Sequence, residues 1–422
     1  MRLFFVVVFT LATPLVAQHN GFIQRGDETR FPIGFYEVPG DAAGLQRMAA
    51  AGVNLVRCGS VKDLDRAHAA GIQGWVSLPF QSGATEQMRA DILQYRDHPA
   101  LVVWEGPDEI VWNFTAYSGL FRDAKVHPYK GAWADQDPAA VAYAKEQAAI
   151  ILPKINAATA LIRELDTRQL PIWINEANDS DAIYVRQYYP NVDITGCDLY
   201  PVKAGDRDLA RMADSTERWN RVGEGRPVWM VLQAFSWSEL GMDPPRPLAY
   251  PSFEESRFMA YDVIAHGAEG ILYWGSQFLQ SGACRAALYA VTGELAALQG
   301  FLTAPAMPGI SVNLVEAPVL APQRGVHSIA RVHGGEALIV LINEDRGAHM
   351  AVEVNGLDAI EGRELHLLYG DESLVVTQGR IMTRMPRQMV KVFATSTTFE
   401  SPDRSGRDYP GEPESDRPAA KE

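Results

Sequence analysis

The sequence predicts a (β/α)8 barrel followed by a small antiparallel β-sandwich domain, and two observations support this prediction. Up to about residue 304, Ala-rich helical segments that end at a glycine alternate with short apolar segments. This alternation is typical of helices that turn back into a parallel sheet. After Pro305, short alternating segments separated by Gly and charged turns indicate antiparallel strands.

Eight strand and eight helix segments can be placed in the first part of the chain. The predicted strands are 32–38, 53–58, 72–78, 100–104, 170–175, 192–200, 227–233 and 270–275. The predicted helices are 42–51, 61–70, 85–95, 138–166, 182–189, 209–221, 253–266 and one after Gly282. A barrel of this kind usually takes roughly 250 residues. A doubly wound open sheet is the alternative, but no Gly-rich phosphate turn follows the first strand.

The predicted domain boundaries follow these changes of pattern. Residues 1–17, with an apolar run and a small-residue end at Ala17, are typical of a signal peptide. An uncleaved N-terminal anchor is the alternative. The barrel is expected over 21–304, the β-sandwich over 305–396 and a disordered tail, rich in charge and proline, over 397–422. We therefore expect a secreted or periplasmic protein without a membrane anchor after cleavage.

Charge and cysteine content narrow the class of partner. The chain has 38 Lys and Arg against 52 Asp and Glu, a net charge of −14, which disfavours binding to a polyanion such as nucleic acid. Cys58, Cys197 and Cys284 form no metal-spaced motif and are expected to be buried small hydrophobes. We expect no cofactor and no metal, and a carbohydrate as substrate.

The segment HPALVVWEGPDE (98–109) carries the strongest signal for chemistry. An uninterrupted apolar run leads directly into Glu105, Asp108 and Glu109. A buried parallel strand has such a run, and barrel enzymes place their catalytic groups just beyond its C-terminal end. Glu109 is therefore a candidate acid, with Glu105 and Asp108 as candidate substrate ligands. An Arg-paired structural cluster is the competing interpretation.

The other predicted strand ends add carboxylates, aromatics and amides. Their candidate residues are Tyr36, Glu37, Arg57, Asn175, Glu176, Asp198, Tyr200, Gln233 and Trp274. The sequence has no Gly-x-Ser-x-Gly elbow, no His pair at metal-ligand spacing and no strand-end Lys suited to a Schiff base. The remaining possibility is acid/base catalysis on a neutral, hydroxyl-rich substrate. Glycoside hydrolysis is such a reaction, and it uses a pair of carboxylates.

Two long βα connections, 109–137 and 234–252, are rich in aromatic residues. The first contains Trp112 and Trp133, and the second contains Trp237. Aromatic faces at this end of a barrel stack on sugar rings, so Trp112, Trp237 and Trp274 are candidate substrate contacts. The alternative is that these rings only pack the loops onto the barrel.

A resemblance sharpens this picture. Five segments of the barrel resemble those of a group of secreted bacterial barrel proteins: 98–109, PIWINE (171–176), DITGCDLYP (193–201), PVWMVLQAF (227–235) and 257–274. That group is similar to the large clan of retaining glycoside hydrolases and to its β-galactosidase-like members. The resemblance covers the barrel and implies that Glu109 is the acid/base. It also implies a Glu nucleophile at the end of strand seven, where this chain has Gln233.

Because the amide of Gln233 cannot act as a carboxylate nucleophile, several interpretations of the mechanism stay open. Asp198 is the first choice for the missing carboxylate and Glu37 the second, and Glu176 is a further candidate. A retaining reaction needs it about 5–5.5 Å from Glu109, and an inverting reaction about 6.5–9.5 Å. There are three alternatives to a second carboxylate. The substrate's own acetamido group could attack, oriented by Gln233; the protein could be a sugar-acid lyase or isomerase that uses Arg57; or the barrel could bind sugar without cleaving it.

Overall fold

A parallel strand ring forms the first part of the molecule. The computed structural model describes residues 20–241, 246–317 and 321–411, so the expected signal peptide lies outside the described residues. The barrel strands are β1 (Ile33–Phe35), β2 (Leu55–Arg57), β3 (Gln73–Ser77), β4 (Leu101–Glu105), β5 (Ile172–Trp173 and Glu176–Ala177), β6 (Thr195–Asp198), β7 (Val228–Gln233) and β8 (Ala268–Trp274). Each pairs in parallel with its neighbours in chain order, and β8 pairs with β1.

Strand β5 is interrupted, and this interruption matters for the site. Its first half pairs with β4 and its second half with β6, so the two halves together complete the ring. The tight contact between β6 and β7 explains a glycine in the ring. A Cβ at Gly196 would lie 1.7 Å from the carbonyl oxygen of Trp229.

The helices surround the ring as the alternating pattern predicts. They are α1 (Ala42–Ala50), α2 (Val61–Ala69), α3 (Glu86–Tyr95), α4 (Ile110–Phe114), α5 (Gly119–Arg122), α6 (Pro138–Leu165), α7 (Ala182–Val185), α8 (Arg211–Gly223), α9 (Phe253–Ala265), α10 (Gly282–Ala297) and α11 (Gln299–Leu302). Seven of the eight predicted helices are confirmed as α-helices. The eighth, 182–189, is α-helical only over Ala182–Val185 and continues as a 3-10 helix over Arg186–Asn191. Within the described residues, no helix has the length and apolar character needed to cross a bilayer.

Bulky side chains fill the inside of the barrel. Trp75, Trp173 and Trp229 are fully buried and belong to one interior cluster. At the N-terminal end, the ring N–H of Trp229 donates to the carbonyl of Gly21 at 2.8 Å. Because this interior is packed rather than hollow, a substrate site can form only at the other end, where the strands finish.

The C-terminal domain is a two-sheet antiparallel sandwich, as predicted. Its strands are β9 (Ser311–Glu316), β10 (Val326–His333), β11 (Glu336–Asn343), β12 (Met350–Asn355), β13 (Glu364–Leu367), β14 (Ser373–Val375), β15 (Arg380–Met385) and β16 (Met389–Ala394). One sheet has the order β9-β12-β15 and the other β10-β11-β16-β13-β14. Apolar residues of both sheets share one core.

The prediction of a disordered tail from residue 397 is wrong for residues 397–411. A short 3-10 helix forms at Thr397–Phe399, Ser401 is buried, and the backbone N–H of Phe253 donates to the carbonyl of Tyr409 at 3.0 Å. Arg407 donates to the buried carboxylate of Glu294 at 2.7 Å. The prediction was based on the charge-rich composition of this segment. It is wrong here because the charge of Arg407 is paired with the buried carboxylate of Glu294. Residues 412–422 lie outside the described residues.

Candidate active site

Carboxylates from two strand ends meet at the C-terminal mouth of the barrel. Glu109 follows β4 in a left-handed conformation with φ 50° and ψ 37°. Its backbone N–H donates to the carbonyl of Asn175 at 3.0 Å. This conformation costs a non-glycine residue about 1 kcal/mol or more. The break in β5 supplies the carbonyl that holds Glu109 in place.

The carboxyl group of Glu109 is a close neighbour of that of Asp198 at the end of β6, and a hydrogen bond between them requires one of the two to be protonated. Two neighbouring carboxylates repel each other, which favours binding of a proton by the pair. Burial raises the pKa of Glu109 to about 7, and the charge of Asp108 adds to this. Burial also raises the pKa of Asp198 well above its usual value, and Glu109 raises it further. The pair therefore holds a proton near neutral pH.

Asn175 connects this pair to a third carboxylate. Its Nδ2 donates to Asp108 Oδ1 at 2.7 Å and to Asp198 Oδ2 at 3.3 Å. Asn175 itself is buried, whereas Asp108 is exposed at the mouth. Desolvation raises the pKa of Asp108 above its usual value, and the Asn175 hydrogen bond and the charge of Arg57 oppose this rise without reversing it. Asp108 thus has two partners that favour its ionised form, an amide donor and a nearby guanidinium.

Glu105 is paired with Arg57, as the competing structural interpretation expected. Arg57 Nε lies 3.1 Å from Glu105 Oε2, and the Glu105 side chain is only 1% exposed. Burial raises the pKa of Glu105 to about 7, while Arg57, Tyr36 and Trp75 lower it. Tyr36 is also buried and packs edge-on against Trp75, with 5.3 Å between ring centroids. Glu105 is therefore the ion-pair partner of Arg57, whose side chain is 41% exposed. The substrate contacts of Glu105 and Tyr36 stay predictions.

Glu176 does not face the mouth. It is fully buried and accepts hydrogen bonds from Val111 N at 3.2 Å, Ser180 Oγ at 2.6 Å and Tyr188 Oη at 3.0 Å. Burial raises its pKa to about 8. Glu176 thereby caps the first turn of α4, which begins next to Glu109. The predicted substrate-binding role is corrected to a positioning role.

Glu37 is held by the loop after β8. Its Oε1 accepts from Gly275 N at 2.9 Å, and its Oε2 accepts from Ser276 Oγ at 2.6 Å. Burial raises its pKa, and these hydrogen bonds oppose the rise. Its contacts are with this loop rather than with Glu109, so its predicted catalytic role is not supported by the geometry.

Gln233 is a backbone clamp rather than a substrate ligand. It is fully buried. Its Oε1 accepts from Val202 N at 2.9 Å, and its Nε2 donates to Val202 O at 2.9 Å and Phe235 O at 3.0 Å. Both ends of the amide are therefore used to join the loops that follow β6 and β7. This corrects the predicted role of Gln233 in orienting a substrate.

An aromatic cluster lies beside the carboxyl pair. Tyr200 donates its hydroxyl to Asp198 Oδ2 at 3.3 Å and stacks on Trp274, with ring centroids 5.5 Å apart and an interplanar angle of 25°. Phe235, Trp237 and Phe278 complete the cluster. Tyr200, Trp237 and Trp274 are partly exposed, so this cluster provides one wall of the mouth. Phe278 escaped the sequence analysis because it follows β8 in a loop with no apolar pattern.

The two tryptophans of the first aromatic loop have different surroundings. Trp112 is partly exposed and packs against Tyr117, with ring centroids 4.7 Å apart. Trp133 packs against Tyr184 and the main core. Trp112 therefore remains a candidate substrate contact, whereas Trp133 is a packing residue.

One group of metal-ligand type occurs among the described residues, and sequence spacing did not predict it. His266, His327 and Glu344 converge where the barrel meets the β domain. They are far apart in the chain and come from three elements, so only the folded chain shows them together. The three cysteines are buried and free, as predicted.

Comparison with known proteins identifies relatives by structure only. No family model matches the sequence, and no curated protein matches it significantly. An arabinofuranosidase matches over 89% of this chain and 93% of its own, with a TM-score of 0.51 and 9% identity. A β-galactosidase from Rahnella sp. R3 gives 0.49 at 11% identity, covering 87% and 98% of the two chains. An α-amylase from Geobacillus thermoleovorans gives 0.46 at 10%, covering 86% and 97%. The structural neighbours are thus glycoside hydrolases, and the chain shares the fold of the arabinofuranosidase.

Proposed function

We propose that the protein is an exported glycoside hydrolase that cleaves an oligo- or polysaccharide, with Glu109 as the general acid. The feature that carries the proposal is the pairing of Glu109 with Asp198 at the barrel mouth, where burial raises the pKa of both carboxyl groups. A carboxylic acid that keeps its proton near neutral pH is what protonation of a glycosidic oxygen requires. The fold shared with an arabinofuranosidase is consistent with this function.

The proposed reaction gives different roles to two of the carboxyl groups, those of Glu109 and Asp108. Substrate entry separates Glu109 from Asp198, and the acid proton passes from Glu109 to the glycosidic oxygen as the bond to the anomeric carbon breaks. Ionised Asp108, held by Asn175 at 2.7 Å, stabilises the positive charge that develops on the sugar. Water then supplies the hydroxyl of the new reducing end and releases a proton that restores the carboxyl pair.

Binding of the sugar is assigned to the aromatic wall. Trp274, Tyr200 and Trp237 have ring faces of the kind on which the apolar face of a sugar stacks, and they lie on the side of the mouth next to Asp198. Such a wall selects for a carbohydrate over a charged polymer. The net charge of −14 fits a neutral sugar as well.

The test is turnover on a panel of plant, algal and host glycans. Glu109→Gln keeps the shape of the side chain but removes the acid, so we expect kcat to fall by at least about 100-fold. Glu146→Gln, at an exposed position of α6, is the matched control and should keep full activity. Near-wild-type turnover by a folded Glu109→Gln protein would overturn the acid role.

Binding of carbohydrate without turnover is the second candidate function. It is favoured by one observation: Glu109 and Asp198 lie within hydrogen-bonding reach of each other. Retaining and inverting enzymes separate their two carboxyl groups by more than this, about 5–5.5 Å and 6.5–9.5 Å. Glycan binding without any released product across the panel would establish this function. If product forms, proton NMR of the first-formed anomer reports retention or inversion.

A further inference from the structure

The His266, His327 and Glu344 cluster is built by rigid elements of both domains. His266 caps the end of α9, His327 lies within β10 opposite Ile342, and Glu344 follows β11. One ligand atom from each of the three lies within 4.8 Å of the others. Each of the three residues therefore lies within a strand or directly beside the end of a helix or strand.

The three side chains converge on a single carboxylate oxygen. Nε2 of His266 lies 2.7 Å from Oε1 of Glu344, and Nε2 of His327 lies 3.2 Å from the same atom. The two imidazole rings are 4.3 Å apart, centre to centre. Ligand atoms about 2 Å from one tetrahedral ion would be separated by similar distances. Small side-chain movements would let an ion replace the shared protons.

The surroundings of the cluster favour a cation. Nδ1 of His266 lies 2.9 Å from Oε1 of Glu217, an arrangement in which a carboxylate orients a histidine whose other nitrogen binds a metal. Asp262 is fully buried, and its Oδ1 has no hydrogen-bond partner among the described residues.

Arg324 also faces the cluster, but its positive charge does not neutralise the carboxylates there. Arg324 Nη1 lies 3.6 Å from Oε2 of Glu344, on the oxygen that the histidines do not use. The same guanidinium is already bonded to Asp214 by two hydrogen bonds, at 2.8 and 2.6 Å. Arg324 therefore does not replace the cation that the histidine side of Glu344 would accept.

We infer that His266, His327 and Glu344 form a binding site for a divalent transition metal of the Zn²⁺ class, with water as a further ligand. Two imidazole nitrogens and one carboxylate oxygen are a ligand set that Zn²⁺ accepts. The His327 side chain is 42% exposed, which gives an ion a path from solvent. An ion held here would join α9 of the barrel to β10 and β11, so metal binding would stabilise the contact between the domains.

The experiment uses tag-free full-length protein that has been stripped with a chelator and then titrated with Zn²⁺. Calorimetry and elemental analysis should give one ion per chain, and the melting temperature should rise with bound Zn²⁺. His327→Gln should weaken Zn²⁺ binding by at least about 10-fold, and Glu217→Gln by about 10- to 100-fold through loss of the orienting carboxylate. His349→Gln, at an exposed position of the same domain, should bind Zn²⁺ as the wild type does.

Each outcome decides the proposal. Absence of saturable binding by the wild type would overturn it, and so would unchanged affinity in His327→Gln. The melting temperature of each metal-free variant shows that it is folded, and His266→Gln provides a second ligand variant. The site lies outside the barrel mouth, so failure here leaves the proposed glycosidase activity untouched.

Discussion

At the scale of single residues, the carboxyl groups at the end of the barrel differ because their partners differ. Glu109 and Asp198 are partners of each other, and burial raises the pKa of both carboxyl groups. Asp108 has an amide donor and a nearby guanidinium. Glu176 has only neutral donors and is enclosed by α4. Environments that push the protonation of neighbouring carboxyls apart are how one site acquires both an acid and a charge stabiliser.

The first prediction concerns the pH dependence of turnover. A general acid must be protonated, and burial raises the pKa of Glu109 to about 7, so kcat/KM should fall as the pH rises through about 7. Because the two carboxyls are coupled, the observed midpoint belongs to the pair. The residual rate of Glu109→Gln should lack this decline, while Glu146→Gln should retain it. The same decline in Glu109→Gln would show that another group is the acid.

The second prediction concerns the amide that replaces the expected nucleophile. Gln233→Glu should not create a nucleophile, because both donors of the amide serve the carbonyls of Val202 and Phe235. An ionised carboxylate cannot donate, so the variant should lose about 1–3 kcal/mol of unfolding free energy for each carbonyl left unpaired.

Urea denaturation measures this change. Gln94→Glu, at an exposed position of α3, introduces the same charge and should unfold like the wild type. A Gln233→Glu protein with normal stability and higher turnover would contradict the clamp.

At the scale of elements, the sequence allowed most of the barrel to be predicted because each helix–glycine–strand unit is a local pattern. It did not show which way a strand-end side chain points. The break between the halves of β5 turns Glu176 under α4, while Asn175 remains at the carboxyl pair. The His266 cluster needs contacts between distant elements, which no spacing reveals.

The third prediction separates the stacking wall from the packed loop. Trp274→Ala should raise the dissociation constant of a bound glycan about fivefold, since a stacking ring contributes about 1 kcal/mol. Trp133→Ala should leave that constant unchanged but lower the unfolding free energy by about 1–3 kcal/mol, less than a fully buried Trp would. Calorimetric binding and thermal melts on the same samples measure both. Normal binding by Trp274→Ala would remove the ring from the sugar site.

At the scale of the whole molecule, one buried carboxylate joins three parts of the chain. Glu294 in α10 is fully buried and accepts from Arg257 Nε of α9 at 2.9 Å and from Arg407 Nη2 at 2.7 Å. Arg257 also donates to the carbonyl of Val390 in β16 at 2.8 Å. Burial alone would raise the pKa of Glu294, but the two arginines hold it below its usual value. The network ties the barrel, the β domain and the C-terminal segment together.

The fourth prediction follows from that network. Arg407→Ala removes one charged donor from a carboxylate that stays buried, and a hydrogen bond to a charged group contributes about 1.5–3 kcal/mol. We therefore expect the unfolding free energy to fall by about that amount and residues 397–411 to exchange amide hydrogen faster. Arg404→Ala is the matched control, because Arg404 is exposed and reaches Glu400 rather than Glu294. Its loss should cost less than about 1 kcal/mol, as for other surface pairs. Equal, small effects of both substitutions would mean that the C-terminal segment contributes little to the fold, whereas a loss confined to Arg407→Ala would mean that charge pairing with Glu294 orders a segment whose composition alone predicts disorder.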